Sequence, residues 1–514
     1  MNNNLYMQFY PHFERQPDKV LIDTPSGKQY RYKDVIATSR KIASHLLALG
    51  IEPGDRVVVQ VDKSPEMLML YLASLQVGAV YLPLNTAYTE SEVRYFLQDA
   101  EPKLYICRPE EMTLATQQAA ICGVQHIESL GTRADGSLME KLGDVEETTW
   151  VCELGPDDLA AILYTSGTTG RSKGAMLTHA NLASNCLALS EAWHYSENDH
   201  LLHALPIFHT HGLFVACNVT LVNGASMTFL PKLDVDELID RMPKATVLMG
   251  VPTFYTRLLQ SPRLTRDAVA NMRLFISGSA PLLAETHEAF EARTGHAILE
   301  RYGMTESNMN TSNPYIGKRR PGTVGIPLPG VEVRITDRET GCTIPQGETG
   351  MVELKGPNVF KGYWRMPEKT ASEFRDDGFF ITGDLGCIDE LGYLNIVGRD
   401  KDLVISGGYN VYPKEIEQLI DDLPGVAESA VIGVQHTDLG EGVVAVVVPK
   451  EQNCSITASE IQEALKDQLA RYKQPKRVFF TQALPRNVMG KVQKNQLRDT
   501  YADTFQTQNT AAEI

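Results

Sequence analysis

Tyr164-Thr165-Ser166-Gly167-Thr168-Thr169-Gly170-Arg171-Ser172-Lys173-Gly174 follows directly on the apolar residues 159–163, which read as a buried strand. The stretch carries hydroxyls at Thr165, Ser166, Thr168 and Thr169, glycines at Gly167, Gly170 and Gly174, and one lysine, Lys173. Glycine lets a backbone turn until several N–H groups point at one spot, and the hydroxyls and Lys173 add donors there. A polyphosphate fits such a spot. The spacing is not that of a Walker loop, which needs Gly, four residues, then Gly-Lys-Ser/Thr. A bare surface turn rarely carries so many donors straight after a buried strand.

Strand and helix patterns alternate on both sides of this loop. Upstream, Asp55-Arg56-Val57-Val58-Val59-Gln60-Val61 reads as a strand, residues 66–75 as an apolar helix, and Ala79-Val80-Tyr81-Leu82-Pro83-Leu84 as a second buried strand. Downstream, Ala245-Thr246-Val247-Leu248-Met249 and Arg273-Leu274-Phe275-Ile276-Ser277 read as strands around a helix that starts at Thr253. Strand–helix–strand order with short connections predicts mostly parallel α/β sheets. Ligands of such sheets bind beyond the carboxyl ends of the strands, so the Gly/Ser/Thr-rich turns at three strand ends predict one shared site. The polar residues 109–149 read as peripheral.

From about residue 330 to 399 the pattern shifts to short strands with Gly and Pro turns, which predicts a β-rich subdomain. Gly398-Arg399-Asp400-Lys401-Asp402 is a charged link. Beyond it, helices over 414–422 and 457–470 and strands over 429–432 and 443–448 predict a compact α+β domain. Its second helix opens with a capping box, Thr457 with Glu460, ahead of Ile461, Leu465 and Leu469. The expected plan is therefore α/β. A large N-terminal domain, 1–399, of α/β sheets with a β-rich subdomain precedes a small α+β domain, 400–514, across a hinge at 399–402. The polar tail from Thr504 is expected to fray.

The 514 residues can bury more than one core, and 22% charged with 43% hydrophobic residues is an ordinary soluble balance. With 48 Lys+Arg against 64 Asp+Glu, a net charge of −16 disfavours nucleic acid as a partner, and an anionic substrate needs a locally basic site. Eight cysteines without a CxxC pair point to a reducing cytoplasm. The N-terminus shows neither an apolar signal core nor an Arg-rich presequence, and no apolar run reaches the length of a membrane span.

Taken in order, these stretches resemble the signature motifs of the adenylate-forming superfamily, which includes acyl-CoA synthetases, luciferase-like enzymes and peptide-synthetase adenylation domains. Residues 164–174 are similar to its phosphate-binding loop, with Ser172 where many members carry proline. Tyr302-Gly303-Met304-Thr305-Glu306 is similar to its second core motif, which implies that Thr305 meets the α-phosphate and that Glu306, with Thr165, holds Mg²⁺. Mg²⁺ prefers one or two carboxylates together with phosphate oxygens, so the chemistry agrees. Ser277-Gly278-Ser279-Ala280-Pro281 resembles the segment that lines the adenine pocket. Thr382-Gly383-Asp384 and Gly398-Arg399 resemble the ribose-binding elements, and a carboxylate is a natural acceptor for two hydroxyls.

Pro485-Arg486-Asn487-Val488-Met489-Gly490-Lys491 resembles the motif of the catalytic lysine, so Lys491 would neutralise charge that develops as a carboxylate attacks the α-phosphate. A lone C-terminal lysine is ordinarily just solvated, and the motif around this one removes that reading. The resemblance also implies a mobile small domain that rotates at Lys401. One orientation brings Lys491 to ATP, and the other brings Ser406, Gly407 and Gly408 to the site to admit the pantetheine arm of coenzyme A. Acetylation of Lys491 would remove its charge, which implies a lysine acetyltransferase and deacetylase as partners.

A narrower resemblance, to the malonyl-CoA synthetases of that superfamily, rests on residues 81–88, 206–212, 251–257 and 301–311. It implies a small dicarboxylate as substrate, with His209 and Met304 near the acyl group and Arg257 as the clamp on the distal carboxylate. Phe254 and Arg257 are three apart on the expected helix, so they share a face, and an arginine can fork onto a carboxylate. The activity implied is ligation of malonate, with methylmalonate tolerated, to coenzyme A through an acyl-adenylate. Two alternatives stay open, namely a CoA ligase for another acid and an adenylation module that loads a carrier protein.

Overall fold

The computed structural model describes residues 2–165, 172–406, 409–436, 439–450, 456–466, 468–469, 471–487 and 490–505. Two large sheets carry most of the chain. In the seven-stranded sheet the order is Gly362–Tyr363, Lys173–Thr178, Leu159–Thr165, Val80–Pro83, Arg56–Gln60, Leu104–Cys107 and His126–Ser129. The last five of these run parallel, and Lys173–Thr178 pairs antiparallel with Leu159–Thr165. The expected strands at 55–61, 79–84 and 159–163 are thus present and adjacent. Residues 109–149 supply the edge strand His126–Ser129 and the helix Met112–Cys122.

The nine-stranded sheet has a parallel centre of Leu299–Met304, Leu274–Ser277, Val247–Gly250, His200–His203, Ser226–Phe229 and Val20–Asp23. Val20–Asp23 lies between Gln29–Arg31 and Ser226–Phe229, with Ile22 opposite Met227. Period-two alternation distributes the side chains of the smaller sheet. Val57 and Val59 join the core shared with the nine-stranded sheet, whereas Val58 packs with Phe96 and Leu97 on the opposite face.

The helix Pro65–Val77 belongs to that shared core and is buried along its whole length. Its start is fixed by Ser64, whose side chain accepts from Met67 N at 3.1 Å, and by Pro65 in the first turn. Gly78, at φ +80°, ends it. A helix apolar all round has no face to give to water, so it lies inside. Its one carboxylate, Glu66, accepts from Tyr30 OH at 2.6 Å.

An antiparallel four-stranded sheet follows, Glu332–Thr336, Gly350–Lys355, Phe380–Ile388 and Leu394–Arg399, where the sequence pattern predicts β structure. The charged link becomes a single helical turn, Asp400–Asp402. The last sheet contains Tyr409–Val411, Val404–Ser406, Gly440–Pro449 and Val426–His436, with Arg477–Phe480 parallel to Gly440–Pro449. Helices Pro413–Asp421 and Ala458–Lys466 cover it, the latter with the expected Thr457–Glu460 box. That helix ends at Lys466 rather than at 470. Phe505 packs on His436 with ring centres 4.8 Å apart, so the chain is still anchored past Thr504, and the rest of the expected frayed tail lies outside the described residues.

Candidate functional site

The expected strand ends fall on two sheets, Leu159–Thr165 on the seven-stranded one and Val247–Gly250 and Leu274–Ser277 on the nine-stranded one. Thr165 and Lys173 face each other across the antiparallel pair, with Thr165 Oγ1 donating to Lys173 O at 3.5 Å. Ser166, Gly167, Thr168, Thr169 and Gly170, which complete the expected phosphate loop, lie outside the described residues, as do Gly407 and Gly408. Lys173 Nζ stands 3.4 Å from Glu373 Oε1 and 4.1 Å from the centre of the Tyr363 ring.

At the end of Leu274–Ser277 the chain turns through Gly278, Ser279 and Ala280. Ser279 adopts φ +72°, and its Oγ lies 3.2 Å from His211 Nδ1. At the end of Leu299–Met304, Tyr302 OH donates to Asp384 Oδ2 at 2.5 Å, and Arg399 Nε pairs with Asp384 Oδ1 at 2.7 Å. Asp384 and Arg399 are directly opposite in the antiparallel pair Phe380–Ile388/Leu394–Arg399, so the sheet register itself builds this ion pair. Asp384 keeps its neighbour Arg399 firmly protonated. Each Asp384 oxygen has capacity left after these bonds, which suits a vicinal diol.

Glu306 follows within the same motif. It is buried, and burial pushes its carboxyl pKa up. Tyr363 OH is 3.1 Å from Glu306 Oε1, yet no ion pair reaches this carboxylate among the described residues. A buried carboxylate without a cation is the kind of ligand a divalent ion takes up together with phosphate oxygens. Among the described residues no group of three or more His, Cys, Asp or Glu side chains is placed to hold a metal alone. Gly303 and Thr305 are half-buried beside it.

Lys491 comes to this edge from the last sheet's side. Crowding by the protein, followed by the Arg399 charge, lowers its pKa, while Asp384 acts the other way. Its side chain keeps a solvent-exposed face. The loop is closed by Lys491 N donating to Asn487 Oδ1 at 2.9 Å, and a Cβ on Gly490 would stand 3.6 Å from Thr253 Cγ2. Lys401 is exposed between two anchored carboxylates, since Arg338 pairs with Asp400 at 2.5 Å and Arg498 with Asp402 at 2.7 Å. Ser406 lies buried in the hairpin Val404–Ser406/Tyr409–Val411, its Oγ without a partner among the described residues.

The acyl side of the site departs from the sequence reading. Phe254 is buried and Arg257, expected on the same pocket-facing side, is exposed. The helix Pro252–Gln260 buries Phe254, Tyr255 and Leu258, and Arg257 falls off that stripe. The buried arginine is instead Arg301, 4% exposed, whose Nε and Nη2 have no hydrogen-bond partner among the described residues. Its guanidinium lies directly on the backbone of Gly278, where an added Cβ would come within 2.4 Å of Cζ. Burial lowers its pKa to about 9, so it remains cationic at neutral pH. Burial, then the Arg301 charge, pushes His209 down to about 4 and His211 well below its ordinary value, so both are neutral.

His209 Nδ1, Thr210 Oγ1, His211 Nε2 and Ser277 Oγ are further buried polar atoms without partners. Met304 is half-buried against the core. A buried cation beside two neutral histidines, with no carboxylate paired to it among the described residues, can receive an anion. Sequence reasoning passed over Arg301, Tyr363 and Glu373. Arg301 carried a local signal, a charged residue inside a strand whose neighbours Leu299 and Glu300 are also buried. The other two carried none.

Comparison with known proteins places the chain in a family. The model for AMP-binding enzymes matches residues 9–364, and the model for the AMP-binding enzyme C-terminal domain matches 415–491. The chain is similar to MatB from Rhodopseudomonas palustris at 59% identity, covering 98% of this chain and 100% of that one. The TM-score is 0.96 for the ATP-bound crystal structure and 0.85 for the apo structure. It is 35% identical to the malonate–CoA ligase of Arabidopsis thaliana, over 94% of this chain and 86% of the relative. It is also 34% identical to the long-chain-fatty-acid–CoA ligase of Bacillus subtilis, over 94% of this chain and 92% of the relative. With two large sheets and a small C-terminal sheet, and with both family models matched, the chain belongs to the AMP-binding enzyme family.

Proposed function

We propose that this chain is an AMP-forming acid–thiol ligase that joins malonate to coenzyme A through malonyl-adenylate. One observation carries the choice of acid, namely the buried Arg301 guanidinium, which among the described residues has unpaired nitrogens and no carboxylate paired to it. A mono-acid would leave that cation buried and unmatched, whereas the distal carboxylate of malonate completes it with a forked pair. Malonate–CoA ligases of Arabidopsis thaliana and Mus musculus stand among the relatives, at 35% and 34% identity. Identity alone does not select the acid, since a fatty-acid ligase is equally similar. Arg257, exposed on the helix that Gly490 approaches, adds positive charge at the rim.

In the first half-reaction one malonate oxygen attacks the α-phosphorus and pyrophosphate leaves. Lys491 and Thr305 meet the charge that builds on the α-phosphate, where preorganised donors act most strongly. Asp384 and Arg399 hold the ribose hydroxyls, Ser277, Gly278, Ser279, Ala280, Tyr302 and Gly303 line the adenine, and the 165–170 loop with Lys173 takes the β- and γ-phosphates. Glu306 and Thr165 would hold Mg²⁺, which when bound neutralises phosphate charge. His209 and Met304 border the acyl group. In the second half-reaction the thiol of coenzyme A attacks the acyl carbon and AMP leaves, after rotation at Lys401 exchanges Lys491 for the Ser406-Gly407-Gly408 hairpin. Methylmalonate is accepted at a modest cost, because one methyl in a pocket is worth only about 1–3 kcal/mol. An acetyltransferase that modified Lys491 would silence the first half-reaction and a deacetylase would restore it.

The test is carboxylate-dependent ATP–pyrophosphate exchange with malonate, methylmalonate, succinate, acetate, octanoate and coumarate, followed by addition of free coenzyme A. Exchange with malonate well above the mono-acids, and malonyl-CoA on adding the thiol, is the expected result. Preference for a mono-acid would overturn the choice of substrate, and turnover only with a phosphopantetheinyl carrier protein would overturn the choice of acceptor.

A further inference from the structure

Glu373 follows the short helix Pro367–Ser372 and meets three groups of the nucleotide side. Its Oε1 is 2.6 Å from Lys369 Nζ and 3.4 Å from Lys173 Nζ. Its Oε2 accepts from Tyr363 OH at 2.7 Å, and that same hydroxyl lies 3.1 Å from Glu306 Oε1. A tyrosine has one phenolic proton, and here two carboxylates compete for it. The shorter contact, together with two ammonium groups that keep Glu373 ionised, assigns the proton to Glu373. Glu306 therefore faces the lone pairs of the phenol and not its proton. Buried, and without an ion pair among the described residues, its carboxylate keeps acceptor capacity beyond the bond from its own backbone N–H.

We propose that Glu373 is a positioning residue of the nucleotide site: it draws the Tyr363 proton away from Glu306, keeping Glu306 open to a divalent cation, and it holds Lys173 beside the phosphate loop. When Lys173 turns to a phosphate, Lys369 stays on Glu373, so that carboxylate is never left without a cation. The inference rests on the reading of Glu306 as a metal ligand and is independent of which acid is activated.

Glu373→Gln removes the charge and offers an amide N–H to the phenol oxygen, which turns the phenolic proton towards Glu306. A cation then has to break that charge-assisted bond. The readout is ATP binding by isothermal titration calorimetry across a Mg²⁺ series, with no acid and no turnover. Glu373→Gln is expected to raise the half-saturating Mg²⁺ about tenfold or more. In a Tyr363→Phe background, where there is no proton to redirect, the same substitution shifts it less than about twofold. Tyr363→Phe alone, which removes a single oxygen, leaves the midpoint within about twofold.

A Glu373→Gln midpoint equal to wild type, or an equal shift in both backgrounds, overturns the proposal. So does a Tyr363→Phe midpoint about tenfold lower, which would mean that the phenol already donates to Glu306. An unchanged midpoint in Glu306→Gln would instead overturn the reading of Glu306, and failure of malonate in the exchange assay bears only on the substrate.

Discussion

Replacing Arg301 by methionine separates the substrate reading from general damage to the site. In the ligand-free protein Arg301 is a buried cation with Nε and Nη2 unpaired, resting on Gly278 and beside two neutral histidines. Methionine fills much of the same volume without the charge. When malonate is bound, wild type gains a buried guanidinium–carboxylate pair, and the variant faces a buried carboxylate with no cation. Removing one partner of such a pair costs about 3–5 kcal/mol. At 1.4 kcal/mol per decade, kcat/KM for malonate falls by about 10²–10⁴.

The same substitution relieves the desolvation of an unpaired charge, so without ligand the variant unfolds at a temperature no lower than wild type, and higher if relief exceeds lost packing. The assay is coenzyme A consumption with malonate and with acetate or octanoate, alongside a thermal melt of the ligand-free protein. Mono-acid activity is held or rises. An unchanged malonate kcat/KM, or an equal fall for mono- and dicarboxylates, would refute the reasoning.

Gly278→Ala forces a Cβ to within 2.4 Å of Arg301 Cζ and is expected to mimic Arg301→Met, cutting malonate kcat/KM at least about tenfold in steady-state assays. Lys491→Gln is expected to lower ATP–pyrophosphate exchange by about 10²–10³, while thioester formation from supplied malonyl-adenylate persists, which stopped-time chromatography resolves. His179 is buried, takes the Leu5 N–H on Nδ1 at 3.0 Å, and is pushed by burial to about 4. The folded state therefore binds fewer protons than the unfolded one below about pH 6.5. Its contribution is complete above that pH and is lost as pH falls towards 4. Thermal melts over this window are expected to decline less steeply for His179→Asn.

What could be read in advance followed from local rules. Three valines in a row, Val57, Val58 and Val59, meet two different cores because a strand alternates, and residues 65–77 lie inside because no polar stripe interrupts them. The motifs name Lys173, Tyr302, Glu306, Asp384, Arg399 and Lys491, of which Lys173, Tyr302, Asp384 and Arg399 lie on strands of three different sheets and Glu306 and Lys491 lie outside strands.

The arginines were not separable in this way. Spacing of three places Phe254 and Arg257 near one another on a helix, but Tyr255 and Leu258 complete the buried stripe and turn Arg257 outward. Which charge is buried depends on Gly278, which lies on a neighbouring strand end. The Glu306–Tyr363–Glu373–Lys173 chain joins residues up to 200 positions apart and leaves no periodic trace.

The strand Val20–Asp23 has a consequence for the birth of the molecule. Its parallel neighbour, Ser226–Phe229, is made about 200 residues later, which at roughly 5–20 residues per second is about 10–40 s of synthesis. Throughout that interval Leu21 and Ile22, wholly buried in the finished protein, have the hairpin partner Gln29–Arg31 and the helix Tyr32–Ala48 beside them but no strand on the parallel edge. The nascent N-terminal portion thus emerges with an open apolar edge, a natural client for a holding chaperone. Polypeptides that stop before residue 226 should collect in the insoluble fraction, and those that run through the strand should not.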